Sequence, residues 1–150
     1  MVSAGFLLAV AGPVLGNATS PSSGARAAGV ALLLAAIALA VWAQETMGRA
    51  WRTDIAPDAD AGLVTHGPFA VVRNPNYVAM LTAVTGALLI APGLLGLAGT
   101  VALLAGLMLT ARCEERVLEA TFGDPYRFYA ARVGRFVPGV GRLRAQRRRL

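Results

Sequence analysis

The stretch PNYVAMLTAVTGALLIAPGLLGLAGTVALLAGLMLTA, residues 75–111, consists of two apolar runs with a short break between them. The runs span Val78–Ala91 and Leu94–Ala111, and the break holds Pro92 and Gly93, which stop one helix and let another begin. Because so short a turn cannot hold a domain, we predict a helical hairpin over residues 77–111 with its helices antiparallel. Small residues should let these two helices pack closely: Gly86, Ala87, Gly96, Gly99 and Gly106.

Two more apolar runs precede the hairpin, at Phe6–Leu15 and Gly29–Ala43. The chain of 150 residues is 56% hydrophobic and 15% charged, whereas about a quarter of the residues in a soluble domain are charged. A membrane-spanning helix needs about 20 apolar residues. We therefore predict an all-α integral membrane bundle with about four transmembrane helices and cytosolic C-terminal helices. A signal peptide is the alternative for the first run, although no basic residue precedes Phe6.

The distribution of arginine predicts how this single domain lies in the membrane. All 14 basic residues are arginine, and ten of them follow residue 111. Because cytosolic segments carry the excess of positive charge, the middle loop and the C-terminus should face the cytosol. The basic tail should contact anionic lipid headgroups rather than nucleic acid, since it follows a membrane helix. The predicted segments are two transmembrane helices in 1–45, a cytosolic loop in 46–76, the hairpin in 77–111, cytosolic helices in 112–138 and the basic tail in 139–150.

The segment after the hairpin is amphipathic, with apolar residues at helical spacing. Gly123 has the position of a residue that ends one helix. Asp124 then reads as an N-cap and Pro125 as the first residue of a new helix, which should run to about Val133.

The densest polar cluster lies just before the hairpin, in HGPFAVVRNPNYVAML, residues 66–81. Asn74-Pro75 is a typical helix start, so the free N–H groups of the next helix should lie beside Arg73 and favour an anion. The two hairpin helices have similar lengths, so Arg73 should come close to Glu114 and Glu115. The alternative interpretation is that Arg73 and His66 only anchor the chain at the membrane interface and bind no ligand. The convergent cluster would suit a ligand with a carboxylate, an ammonium group and ribose hydroxyls.

Two motifs separated by the hairpin resemble one family of enzymes. The first is LVTHGPFAVVRNPNY and the second is EERVLEATFGDPYRFYAARVGRFVP, which together cover about residues 63–138. They resemble the isoprenylcysteine carboxyl methyltransferase family and its phospholipid-methyltransferase relatives, which are integral membrane enzymes that use S-adenosylmethionine. The matching residues are Leu63, Val64, Thr65, Gly67, Phe69, Arg73, Pro75 and Tyr77, then Glu114, Glu115, Leu118, Phe122, Gly123, Tyr126, Tyr129, Arg135, Phe136 and Pro138. The chain departs from the eukaryotic enzymes in having Asn74 where they usually have histidine, and in having fewer membrane helices.

The resemblance implies an S-adenosylmethionine pocket between the first motif and the helices after the hairpin. Arg73 and Glu115 are expected on opposite sides of the cofactor, where a zwitterionic methionine moiety would satisfy both charges. An aromatic face would meet adenine or the sulfonium. The residues assigned to the pocket are His66, Gly67, Phe69, Arg73, Asn74, Pro75, Tyr77, Glu115, Tyr126 and Tyr129.

The expected chemistry is methyl transfer to a hydrophobic acceptor that arrives from the bilayer. A carboxylate acceptor needs its charge shielded, which Arg73 or Arg135 can do, whereas an amine needs a base, for which His66 is the candidate. No metal is expected. The acceptor stays open among an isoprenoid acid, a fatty acid, a lipid amine and a thiol. The alternatives are a sterol-type reductase that uses NADPH, which usually has many more helices, and a non-catalytic adaptor, which leaves the polar cluster unexplained.

Overall fold

The computed structural model describes residues 20–48 and 62–142. In this part of the chain there are four α-helices: α1 (Ser23–Met47), α2 (Pro75–Ile90), α3 (Leu94–Phe122) and α4 (Asp124–Arg132). A short 3-10 helix, Gly67–Ala70, precedes α2. Across the described residues the only extended pairing is an isolated parallel bridge between Val72 and Gly134. The predicted all-α class is therefore confirmed, while the first apolar run, Phe6–Leu15, lies outside the described residues.

Two of the helices are long and apolar enough to cross a membrane, judged by length and composition. These are α1, with 25 residues, and α3, with 29 residues. Helix α2 is apolar but has 16 residues, which at 1.5 Å per residue make about 24 Å and fall short of a hydrocarbon core of about 30 Å. The two long helices support membrane association, and the arrangement with four crossings remains a prediction.

The chain divides into two compact units. One contains Met1–Ala40 and Asn76–Thr110, and the other contains Val41–Pro75 and Ala111–Leu150. In the first unit, α2 and α3 pack on each other through a buried cluster of Val84, Leu103 and Leu107, with Tyr77, Met80 and Leu81 against it. The turn between the two helices spans residues 91–93. The hairpin that the two apolar runs predicted is therefore present.

Threonine hydroxyls inside the apolar helices bond to the carbonyl one turn earlier. Thr82 Oγ1 donates to the Val78 carbonyl at 2.8 Å, and Thr100 Oγ1 donates to the Gly96 carbonyl at 2.8 Å. In lipid no water is available to satisfy such groups, so these internal bonds make the threonines compatible with the bilayer.

A pair of glycines brings α1 and α2 into close contact within the first unit. A Cβ added to Gly29 would lie 2.6 Å from the Gly86 carbonyl oxygen, and one added to Gly86 would lie 2.7 Å from the Gly29 carbonyl oxygen. The prediction that Gly86 serves the packing of the hairpin helices is therefore wrong. Val84 already faces α3, and two residues along a helix turn the side chain by about 200°, so Gly86 faces the opposite way. The glycines buried on α3 are Gly96, Gly99 and Gly106.

Large apolar side chains are exposed along α1 and α3. On α1 they recur at helical spacing as Val30, Leu34 and Ile37, and on α3 they include Leu97 and Val101. Contiguous exposed apolar surface is unfavourable in water and favourable in hydrocarbon. This distribution suits helices whose outer faces contact lipid.

The junction between α3 and α4 differs by one residue from the prediction. Gly123 ends α3 as expected, with φ +58°, but it also takes the N-cap position, and Asp124 is the first residue of α4 rather than its cap. Gly123 is the only residue between the two helices, so it both ends α3 and caps α4. Glycine adopts the positive φ that this position requires at little cost. Asp124 lies in the first turn, where a carboxylate interacts favourably with the helix dipole, and accepts a bond from Arg127 Nη1 at 3.2 Å. The other two predicted ends agree more closely, because α2 begins at Pro75 and α4 ends at Arg132.

Candidate functional site

A buried carboxylate lies between two guanidinium groups in the second unit. Arg73 and Glu115 are each 6% exposed. Arg73 donates to Glu115 Oε1 from Nε at 3.0 Å and from Nη2 at 2.8 Å. Arg135 donates from Nε to Oε1 at 2.9 Å and from Nη2 to Oε2 at 2.5 Å. The three side chains, called here the Arg–Glu–Arg cluster, carry one formal positive charge in excess.

Arg73 uses every N–H of its guanidinium inside the protein. A guanidinium has five N–H groups, one on Nε and two on each terminal nitrogen. Nη1 donates to the Ala130 carbonyl at 2.9 Å and to the Val133 carbonyl at 2.7 Å. The second bond from Nη2 reaches the Gly141 carbonyl at 3.0 Å. Together with the two bonds to Glu115 these make five, so Arg73 ties the end of α4 and the following loop to α3.

The loop after α4, residues 134–141, runs against the backbone on either side of Arg73. The Arg73 N–H donates to the Gly134 carbonyl at 2.8 Å, and the Asn74 N–H donates to the Arg135 carbonyl at 3.2 Å. The Asn74 side chain also donates from Nδ2 to the Arg135 carbonyl at 3.4 Å. Any Cβ on Gly134 would overlap the Val137 carbonyl oxygen, so glycine is required for the loop to close. Sequence reasoning missed Gly134, although the run of three glycines in GRFVPGVG was a signal for a tight loop.

Two tyrosines of α4 lie in the same unit as the cluster. Tyr126 and Tyr129 meet edge to face, with ring centroids 6.1 Å apart and an interplanar angle of 61°. The Tyr129 hydroxyl donates to the Phe69 carbonyl at 2.7 Å. The Tyr126 side chain is almost fully buried, and across the described residues its hydroxyl has no hydrogen-bond partner. Tyr126 is therefore a buried polar group whose hydrogen-bonding capacity is unused.

Burial shifts the titration of both tyrosines in the same direction. It raises the pKa of Tyr129 to about 12, with Arg73 opposing the rise and Glu115 adding to it. Burial also raises the pKa of Tyr126 well above its usual value, and the negative charge of Glu115 adds to that rise. Both phenols are therefore neutral at physiological pH; the Tyr129 O–H is donated to the Phe69 carbonyl, and the Tyr126 O–H has no acceptor among the described residues.

Two of the predicted site residues, His66 and Gly67, lie where the 3-10 helix begins. Gly67 has φ +59°, and a Cβ there would lie 2.8 Å from Thr46 Oγ1. His66 precedes it with an exposed side chain and an extended backbone, and its carbonyl accepts the Phe69 N–H at 3.2 Å. Pro68 and Phe69 are buried. The motif thus closes a tight turn over buried residues and leaves the histidine facing outward.

The structure brings most of the predicted site residues together but changes two relationships. Arg73 and Glu115, expected on opposite sides of a ligand, are in direct contact, because they lie a similar number of residues from the turn of the hairpin. Tyr77 belongs to the other unit, where it packs against the buried apolar cluster. Among the described residues no three His, Cys, Asp or Glu side chains are grouped so as to hold a metal. The predicted residues that the second unit contains are His66, Gly67, Phe69, Arg73, Asn74, Pro75, Glu115, Tyr126, Tyr129 and Arg135.

Comparison with known proteins identifies the family of the chain. No curated protein and no solved structure matches the sequence. The family model for phospholipid methyltransferase matches residues 25–125, about two thirds of the chain. This range runs from α1 to the start of α4 and includes Arg73 and Glu115. The chain therefore belongs to the phospholipid methyltransferase family of membrane methyltransferases.

Proposed function

We propose that the protein transfers a methyl group from S-adenosylmethionine to a hydrophobic acceptor held in the membrane. A carboxylate is the favoured acceptor and an amine the second possibility. The observation that carries the proposal is the family match over residues 25–125, which contains both the apolar helices and the buried Arg73–Glu115 pair. Family membership supports methyl transfer, and the exposed apolar faces of α1 and α3 support a lipid environment.

The residues of the second unit fit an S-adenosyl cofactor on two counts. The Arg–Glu–Arg cluster has an uncompensated positive charge, which suits the carboxylate of a methionine moiety. The buried Tyr126 hydroxyl lacks a protein partner in the described part of the chain, as expected of a group that bonds to a ligand. The residues that would hold the cofactor are therefore those around this cluster, namely Arg135, Tyr126 and Tyr129.

When bound, S-adenosylmethionine would supply a methyl group on a positively charged sulfur, and this sulfur would keep the electron pair of the carbon–sulfur bond when the acceptor oxygen takes the methyl carbon. The protein has to orient the two reactants and exclude water. Arg135 shields the negative charge of a carboxylate acceptor or of the cofactor, since its side chain is more exposed than that of Arg73. With an amine acceptor, His66 takes up the proton, because its exposed imidazole is the only one in the chain.

We also propose that the site and the C-terminus face the cytosol. Ten of the 14 arginines follow residue 111, and the turn at Pro92 and Gly93 has none. Positive charge on one side of the membrane supports this orientation. The acceptor, whose apolar part is soluble only in the bilayer, would then enter between the helices, and the polar cofactor would enter from the cytosol.

Calorimetry on the protein in detergent tests the cofactor. We expect S-adenosylmethionine and S-adenosylhomocysteine to bind in the micromolar range, which corresponds to about 8 kcal/mol. NADPH is the control, because it is the cofactor of the rival reductase function. Binding of NADPH together with no binding of either S-adenosyl compound would exclude the methyltransferase.

A further inference from the structure

We propose that Arg135 and Tyr126 form a binding site for an anionic group, a carboxylate or a phosphate, and that Arg73 acts as a positioning residue that does not touch the ligand. The inference rests on the proposed function, because it names the groups that hold one end of the cofactor or of a lipid acceptor. The sequence motif places Arg73 at the ligand, whereas this proposal assigns the contact with the ligand to Arg135.

The five hydrogen bonds of Arg73 exclude it from ligand binding in this conformation. Its side chain is 2% exposed, and each N–H already has a carboxylate or carbonyl acceptor. An anion that bound to Arg73 would have to break one of these bonds and leave a buried carbonyl or Glu115 without its donor. Arg73 instead fixes the position of Glu115 and of the loop after α4.

Arg135 uses only part of its hydrogen-bonding capacity on Glu115. Its two bonds to Glu115 use Nε and one N–H of Nη2. In the part of the chain that the structure describes, the two N–H groups of Nη1 and the second N–H of Nη2 form no hydrogen bond to protein. The side chain is 20% exposed, against 2% for Arg73. The excess positive charge of the cluster therefore lies at its accessible edge, on a guanidinium oriented by Glu115.

The Tyr126 hydroxyl supplies a second, independent indication of a ligand. The residue is 1% exposed, yet across the described residues its hydroxyl has no partner. An unsatisfied buried hydroxyl lowers stability, and a phenylalanine would fill the same space without that cost. Tyr126 lies on α4 and Arg135 lies in the loop that follows α4, in the same unit as Glu115, so the proposal places one anionic group against both.

A carboxylate and a phosphate share the chemistry that this site recognises. The carboxylate would come from the methionine end of the cofactor, and the phosphate from a lipid headgroup. Either would accept hydrogen bonds from the Arg135 fork and from the neutral Tyr126 hydroxyl, and would cancel the excess charge of the cluster.

The test compares wild-type protein with Tyr126→Phe and Arg135→Lys, using three probes in detergent. S-adenosylhomocysteine contains the methionine carboxylate, and 5′-methylthioadenosine lacks the whole amino-acid end. Micelles with a short-chain phosphatidic acid present the phosphate, and micelles with the matching diacylglycerol serve as their neutral control. Arg127→Lys is the control variant, because Arg127 is exposed and lies on the same helix as Tyr126.

Two results would support the proposal. A roughly tenfold weaker binding of S-adenosylhomocysteine by Tyr126→Phe and Arg135→Lys, with 5′-methylthioadenosine unchanged, identifies the carboxylate. Weaker binding of phosphatidic acid alone identifies the phosphate. In both cases Tyr126→Phe should melt at the wild-type temperature or above it, since no protein hydrogen bond is lost.

Two other results would overturn the proposal. If Tyr126→Phe binds all the probes as the wild type does, the hydroxyl bonds only to water. If Tyr126→Phe binds S-adenosylhomocysteine and 5′-methylthioadenosine more weakly to the same degree, the hydroxyl contacts the nucleoside and not the carboxylate. Should the wild type bind neither adenosine compound, the proposed function fails, and the phosphatidic acid comparison alone then decides for or against the anion site.

Discussion

At the scale of single residues, two arginines of the same unit show how differently one side chain can act. Arg73 is buried and makes five hydrogen bonds, two of them to Glu115. Arg127 is half-exposed and pairs with Glu119 and Asp124 at the surface. A buried charge that loses its partner keeps its desolvation cost, whereas an exposed one returns to water. The two pairs therefore provide a matched comparison of a structural and a solvated ion pair.

We predict that Arg73→Met and Glu115→Gln each lower the melting temperature in detergent without any ligand. Removing one partner of a buried ion pair costs roughly 3–5 kcal/mol. Arg127→Met is the control and should melt close to the wild type. Equal melting temperatures for Arg73→Met and Arg127→Met would show that the buried pair does not stabilise the fold.

Two substitutions of Arg73 separate its effect on stability from its effect on binding. If the role of Arg73 is to position its neighbours, the stabilising shift that S-adenosylhomocysteine produces should shrink in Arg73→Met and be restored in part by Arg73→Lys. Lysine keeps the charge and part of the donor set, but not the planar fork. An undiminished shift in Arg73→Met would mean that the pair supports the fold and not the site.

We predict that Tyr129 titrates near pH 12 rather than at its ordinary value of 10.0. Because the folded state favours the neutral phenol, its contribution to stability is complete below pH 10 and is lost as the pH rises towards 12. The difference in tyrosinate absorbance between wild type and Tyr129→Phe during an alkaline titration isolates this residue. A titration step near pH 10 in that difference spectrum would contradict the buried, hydrogen-bonded position.

At the scale of helices and loops, the sequence predicts the helix ends that depend on a few neighbouring residues. Proline at the first position of α2, the short break between the hairpin helices and the positive φ of Gly123 are properties of a few adjacent residues. The helical class and the meeting of Arg73 with Glu115 followed from them, because the two residues lie a similar number of residues from the turn of an antiparallel hairpin.

The features that were missed depend on contacts between segments distant in sequence. Nothing local shows that Gly86 faces Gly29, or that the loop after α4 returns its carbonyls to Arg73. We expected Arg73 and Glu115 on opposite sides of a ligand, and the structure has them in direct contact. The sequence shows that the two opposite charges converge, but it does not show how many protein acceptors surround the arginine.

We predict that Gly29→Ala destabilises the crossing of α1 and α2. The added Cβ would lie 2.6 Å from the Gly86 carbonyl, and overpacking of this kind costs roughly 1–3 kcal/mol. Gly24→Ala on the same helix is the control, because the nearest atom to its Cβ is 4.0 Å away. The control should melt at or slightly above the wild-type temperature, as alanine is the better helix former. If Gly29→Ala matches the control, the glycine contact is absent from the protein in the membrane.

At the scale of the whole molecule, composition and charge determine the environment of the protein but not its chemistry. The apolar content, the two long helices and the family all indicate a membrane methyltransferase. The acceptor follows from none of them, because a hydrophobic molecule is recognised by the shape of its site and a methyl group can be transferred to oxygen, nitrogen or sulfur.

The arginine distribution predicts the orientation in the membrane. With the exposed native Cys113 replaced by serine, a single cysteine at Gly93 should react with an impermeant reagent added outside intact cells. A single cysteine at the exposed position Thr65 should react only after the cells are opened. The reverse pattern of labelling would place the Arg–Glu–Arg cluster on the outer side and contradict the proposed entry of the cofactor.

Transfer of a labelled methyl group tests the central claim most directly. The purified protein is incubated with methyl-labelled S-adenosylmethionine and a membrane lipid extract, and the label is followed into the organic phase. We predict label in a lipophilic product that requires the protein, with base-labile release if the product is a methyl ester, and a strong reduction with Glu115→Gln. A protein that binds the cofactor, yet leaves all the label in the aqueous phase across acidic, amine and thiol lipids, would contradict the account.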